Sequence, residues 1–116
     1  MAVDEERTTV HAAPPPAGAR CVVRVSGEMD LDHASELRTA LDRAISRAAD
    51  RADVVVDLRH SSFCDSAGLT VLLAAREKAR ADGHVLRLAA PSHQMLRLLE
   101  LTGSLELFSF GSTAAD

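Results

Sequence analysis

A chain of 116 residues is the length of one domain, and a formal net charge of −4 argues against a nucleic-acid reader, which needs a basic face for phosphate. Three Phe with no Trp or Tyr leave few rings to stack on bases, while 47% apolar against 26% charged residues is the balance of a soluble globule. Cys21 and Cys64 are too few for a disulfide framework and fit no zinc spacing, so both read as small buried hydrophobes in a reducing cytoplasm. No basic leader precedes an apolar stretch, and no apolar run approaches the ~18 to 20 residues of a membrane span, so no membrane partner is expected.

Residues 1–7 are charged and aperiodic and read as a flexible N-terminal tail. A short first strand is expected at 8–11, followed by a turn forced by Pro14-Pro15-Pro16-Ala17-Gly18. Cys21-Val22-Val23-Arg24-Val25-Ser26 is β-branched and predicts a second strand, antiparallel to the first and ended by Gly27. From 34 to about 49 the period becomes helical, with Leu37, Leu41, Ala44, Ile45 and Ala48 in one apolar stripe. The run Asp53-Val54-Val55-Val56-Asp57-Leu58 suits a strand buried on both faces. A second helix is predicted over 66–81, with Leu69, Leu72, Leu73 and Ala79 inward and Asp82-Gly83 as its stop. Val85-Leu86-Arg87-Leu88-Ala89 is the next strand, Pro91-Ser92 opens a third helix running to Leu101, and Leu105-Glu106-Leu107-Phe108 offers a last strand. The order β-β-α-β-α-β-α-β implies an α/β fold with a mixed, mainly parallel sheet of about five strands and three to four helices. The domain proper is expected over 8–110, with 111–116 a short C-terminal tail.

In such folds strand ends and helix starts share one sheet edge, and Ser66 in Cys64-Asp65-Ser66-Ala67-Gly68 lies on it. A nucleophilic serine would want G-x-S-x-G and a nearby base, but the first Gly is missing and nothing fixes His60 beside Ser66. Neither G-x-x-x-x-G-K-[ST] nor G-x-G-x-x-G is present, which removes the sequence case for a phosphate loop. Asp30, Asp32, His33 and Glu36 could hold a divalent ion, yet a capping Asp30 or Asp32, a Glu36 at the positive helix end and a solvated His33 account for them; no metal or cofactor is expected. Two compatible roles remain for the hydroxyl: Asp65 or Ser66 capping the second helix, and Ser66 as a modification site. Ala67-Gly68 suggests more than a cap, because Gly in a first turn costs roughly 0.5 to 1 kcal/mol against Ala. Small residues there would leave the helix start open to close approach by another protein.

Val54-Val55-Val56-Asp57-Leu58 followed by Phe63-Cys64-Asp65-Ser66-Ala67-Gly68-Leu69 resembles the core signature of STAS domains, and more narrowly of bacterial anti-sigma factor antagonists. Ser26-Gly27-Glu28-Met29-Asp30, with Ala34 and Leu37 after it, is similar to that family's G-E-[apolar]-D segment, and the likeness covers about residues 20 to 108. The resemblance implies a STAS fold and a non-enzymatic protein that binds an anti-sigma factor, usually a serine kinase with its own ATP and magnesium, and so frees a sigma factor. It implies phosphorylation at Ser66, reversal by a PP2C-type phosphatase, and partner contacts from Asp30, Asp32, His33, Phe63, Asp65, Ser66, Ala67, Gly68 and Leu69. A monomer or weak dimer is expected. Ala67 stands where some relatives carry a second Ser, and the final helix of many relatives is expected to be missing or reduced to a turn. The rival within the fold is an unswitched interaction subunit of a lipid-transport or stress-signalling complex.

Overall fold

The structure, a computed structural model, describes residues 1–7 and 20–112, with the backbone alone for 4–7. Five strands lie side by side in chain order: β1 (Ala2–Arg7), β2 (Arg20–Met29), β3 (Asp53–Cys64), β4 (Leu86–Ala89) and β5 (Ser109–Gly111). β1 runs antiparallel to β2, from Ala2 opposite Ser26 to Arg7 opposite Cys21, and the remaining neighbours are all parallel. The parallel strands are joined by α1 (Ala34–Arg47), α2 (Ser66–Ala81) and α3 (His93–Leu101). Because each crossover advances the sheet by one strand in the same direction, a constant right hand places all three helices on one face.

That face carries the main core. Val23, Val25, Val54, Val56, Leu58, Leu86 and Leu88 point from the sheet into Leu37, Leu41 and Ile45 of α1, Leu69, Leu72 and Ala75 of α2, and Met95 and Leu99 of α3. The opposite face holds a smaller buried cluster of Val22, Val55 and Ala89. Asp57, 2% exposed, forms ion pairs with Arg24 Nε at 3.8 Å and an Arg59 guanidinium nitrogen at 3.6 Å, and its Oδ1 accepts the Arg59 N–H at 3.0 Å. Each acceptor and charge is thus answered, as burial of a carboxylate requires.

Three expectations are corrected. Residues 1–7 were expected as a tail, but 2–7 pair along β2, so the alternation that makes a strand is written in backbone hydrogen bonds that charged side chains do not forbid. The first strand expected at 8–11 lies outside the described residues. Gly27 does not end β2; at φ +86° it takes up a register irregularity and the strand continues to Met29. The last strand is displaced: Leu105–Leu107 is a 3-10 turn, Phe108 is buried, and β5 follows it. α2 begins and ends where the periodicity places it, with Gly83 at φ +84° past its end.

The feature that positions the site is a mismatch of strand lengths. β4 pairs β3 only from Val54 to Asp57, whereas β3 runs on to Cys64 beside β2 alone. Over this overhang β3 spans Asp57 to Cys64 while β2 spans Arg24 to Met29, so β3 carries the extra residues of two bulges. The ribbon therefore twists and projects beyond β4, and the start of α2 sits at its tip.

Leu72 is fully buried, whereas Leu101 is 73% exposed. Leu72→Ala is expected to lower unfolding free energy by about 2–5 kcal/mol in urea titrations, and Leu101→Ala by no more than about 0.5 kcal/mol.

Candidate functional site

Two chain segments meet at the ribbon tip: the turn after β2, where Leu31–His33 form a 3-10 turn, and the β3–α2 junction. Asp65 joins them. Its Oδ1 accepts the Gly68 N–H at 3.0 Å and so caps α2, while its Oδ2 accepts the Leu31 N–H at 3.1 Å. Its own N–H donates to the Met29 carbonyl at 3.1 Å, and its carbonyl accepts the Leu69 N–H at 3.0 Å. An acid one residue before a helix suits this role because its oxygens reach the free N–H groups of the first turn.

Gly68 completes the junction. A Cβ placed on it would lie 2.2 Å from the Met29 carbonyl oxygen, so only glycine lets α2 start against the end of β2. This corrects the expectation that Gly68 and Leu69 meet a partner. Both are buried, and the close approach that Gly68 permits is made by the protein's own backbone.

Asp65 caps the helix, so Ser66 is released from that duty. Ser66 is the first residue of α2 and is exposed; its carbonyl accepts the Thr70 hydroxyl at 2.8 Å, and its own hydroxyl forms no hydrogen bond among the described residues. A free hydroxyl at a helix start lies where the helix dipole and open N–H groups favour an anion. Ala67 beside it is half-buried and adds no bulk.

Asp30 Oδ1 accepts both the His33 N–H at 3.2 Å and, with His33 Nδ1 as donor, a ring hydrogen bond at 2.6 Å. Asp30 thus caps the 3-10 turn, while α1 starts from His33 with no side-chain cap, so neither Asp30 nor Asp32 caps the first α-helix as expected. His33 is not simply solvated, as expected, but held against Asp30. Asp32 is exposed and, with Ser35, Glu36 and Arg43 of α1 and Val3 of β1, lines an open groove of about 520 Å³. Phe63, 41% exposed, sits in the overhang opposite Glu28.

Two residues escaped the sequence reading. Leu31 is 74% exposed although its backbone is tied to Asp65, so an apolar side chain is left in solvent at the junction. The alternation Met29-Asp30-Leu31 gave no signal of this, since a strand would put Met29 and Leu31 on one face, and only the turn that begins at Leu31 separates them. Gln94 of α3 accepts the Cys64 N–H at 2.9 Å and donates to the Cys64 carbonyl at 2.6 Å. Nothing local in the sequence marks a polar residue 30 positions away as a partner of this strand. Cys64 itself is buried, and burial, with the neighbouring Asp65 carboxylate as a smaller cause, pushes its thiol up to about 12.

The family model described as "Mlab, STAS domain" matches residues 13–107 of the chain. An anti-sigma-B factor antagonist from Bacillus subtilis is 31% identical over 81 residues, covering 70% of this chain and 72% of that protein. The chain belongs to the STAS family of anti-sigma factor antagonists. An antagonist structure from Mycobacterium paratuberculosis superimposes on this STAS domain with a TM-score of 0.71 and 25% identity, covering 99% of this chain and 89% of the other. Unphosphorylated SpoIIAA, an anti-sigma factor antagonist, shares the fold with a TM-score of 0.70 at 21% identity, covering 98% of this chain and 90% of its own. The α/β architecture expected of the STAS domain, a mixed five-stranded sheet with three helices, is the one observed. No helix among the described residues is long and apolar enough to cross a membrane.

Two measurements follow from the junction of this STAS domain. Gly68→Ala should lower stability by about 1–3 kcal/mol or more in chemical denaturation, because the Met29 carbonyl cannot yield without moving β2. With its pKa raised, the Cys64 thiol stays protonated across neutral pH, and thiolate is the reactive form. Native protein at pH 7–8 should therefore resist iodoacetamide at Cys64 and react there only after unfolding, as read by peptide mass spectrometry.

Proposed function

We propose that this STAS domain is a phosphorylation-switched antagonist: with Ser66 unmodified it binds an anti-sigma factor and frees a sigma factor for transcription, and with Ser66 phosphorylated it lets go. One observation carries the reading. Asp65 performs the capping, so the exposed Ser66 hydroxyl has no structural task and stands free at the tip of the β2–β3 ribbon. The named role of the Bacillus subtilis relative as an anti-sigma-B factor antagonist supports the choice of partner.

In this reading the anti-sigma factor is a serine kinase and the antagonist is its substrate, not an enzyme. The Ser66 oxygen forms a bond to the γ-phosphorus of ATP bound by the kinase, the bond to the β-phosphate oxygen breaks, ADP leaves, and the hydroxyl proton passes to a base on the kinase. A PP2C-type phosphatase hydrolyses the ester and resets the protein. The partner surface comprises Ser66, Ala67, Phe63, Asp32 and Leu31, with Asp30, His33 and Asp65 holding the backbone beneath it.

The charge change is sufficient for release without remodelling the fold. Phosphate brings about −1.5 to −2 charges at pH 7. The start of α2 accommodates them, since its N–H groups and dipole favour an anion. A docked partner does not: beside Asp65 the added charge must lose water, at several kcal/mol if unpaired.

Incubation with anti-sigma kinases of the same genome, ATP and magnesium should place one phosphate on Ser66. Ser66→Ala should bind the kinase as tightly as the wild type and fail to dissociate on ATP addition, whereas Ser66→Glu should bind at least tenfold more weakly by calorimetry. Binding without any labelling of the wild type would replace the switch by an unswitched interaction subunit, of the lipid-transport or stress-signalling kind.

A further inference from the structure

Beyond Asp57 the edge of β3 that faces β4 has lost its neighbour, because β4 ends at Ala89 opposite Asp57. At Cys64, two residues before Ser66, that missing neighbour is replaced by a side chain. The Gln94 amide supplies an acceptor to the Cys64 N–H at 2.9 Å and a donor to the Cys64 carbonyl at 2.6 Å, the same pair of groups a strand backbone would offer. The route of the chain from β4 to this clamp is short and strained. Ala90 takes a left-handed φ of +52°, unfavourable for a residue with a Cβ, Pro91 follows, and Ser92 caps α3 by accepting the Met95 N–H at 3.1 Å. The turn thus sets the first residues of α3 directly against the overhang.

From the other side, the Asp65 N–H is held by the Met29 carbonyl. The Cys64–Asp65 peptide unit is therefore held from both flanks, its carbonyl by Gln94 of α3 and its N–H by Met29 of β2.

We propose that Gln94 is a positioning residue for the Ser66 switch: its amide stands in for the absent strand at Cys64 and sets the aim of the Ser66 hydroxyl toward the kinase. This inference rests on the reading of Ser66 as phosphoacceptor. Phosphoryl transfer depends on in-line placement of the attacking oxygen, so loss of the clamp acts on the transfer step more than on docking. The docking side chains Leu31 and Asp32 lie on the segment after β2, outside Gln94's hydrogen bonds, and remain in place.

The test uses the full chain and the anti-sigma kinase that labels the wild type, at a temperature where each variant keeps full far-ultraviolet ellipticity. Gln94→Ala is expected to lower kcat for Ser66 phosphorylation at least tenfold while KM for the chain changes less than threefold. Gln94→Glu keeps the acceptor for the Cys64 N–H and loses the donor to its carbonyl, so its kcat should fall between Gln94→Ala and wild type. Hydrogen exchange at the Cys64 amide should follow the same order, and His93→Ala, an exposed neighbour, should behave as wild type. Wild-type kcat in folded Gln94→Ala and Gln94→Glu would overturn the positioning role while leaving Ser66 as the acceptor. Absence of labelling in the wild type itself would overturn the acceptor reading, and this role with it.

Discussion

At the tip of the sheet, the Asp65 carboxylate answers the Gly68 N–H with one oxygen and the Leu31 N–H with the other, while its amide reaches the Met29 carbonyl. The arrangement requires α2 to begin within contact distance of the β2 backbone, and Gly68 alone permits that distance. Helix start, strand end and following turn are thereby one unit. Everything displayed there, Ser66 and Leu31 above all, is oriented by bonds that do not involve the displayed groups themselves. A net hydrogen bond contributes only about 1 kcal/mol, but leaving the half-buried Gly68 N–H unanswered costs about 1–3 kcal/mol, so the unit resists piecemeal disruption.

This division of labour distinguishes a site that can be modified from one that is merely capped. Were Ser66 the cap, its hydroxyl would be tied to an N–H and less open to a partner. With Asp65 in that place the modification leaves the fold's own bonds intact. The nearby thiol is equally removed from competition: Cys64 lies buried behind the serine with its ionisation suppressed. Of the Ser66 hydroxyl and the Cys64 thiol, it is the hydroxyl that is exposed.

Much of the fold was legible because the core is written in period. The β-branched run of β2 and the continuous Val run of β3 match strands buried on both faces, and the i, i+4 stripe of α1 matches its one buried face. α2 was legible to the residue, since an Asp before it and a Gly after it mark both ends. What escaped has a common cause. β1 is strand-like only through pairing with β2, which its charged residues do not announce. Gly27 reads as a stop but serves as a hinge of register, a distinction that depends on the partner strand. β5 is three residues long and follows a turn whose apolar Leu105-Glu106-Leu107 mimics alternation. At the site, Ser66 and Asp65 were readable from local chemistry, whereas Gly68 was read as open when it is packed. Gln94 was invisible because its meaning lies in a length difference between two strands.

The overhang of β3 past β4 separates two kinds of constraint on the chain. Residues below Asp57 face helices and neighbours, and any change there is felt by the core. Side chains on the projecting tip, such as Leu31, Asp32 and Phe63, carry little of that burden. They are free to diverge while the scaffold stays fixed. Under the proposed function, a cell holding several such domains would keep its circuits apart by varying a few tip residues, each copy answering its own cognate and ignoring the rest.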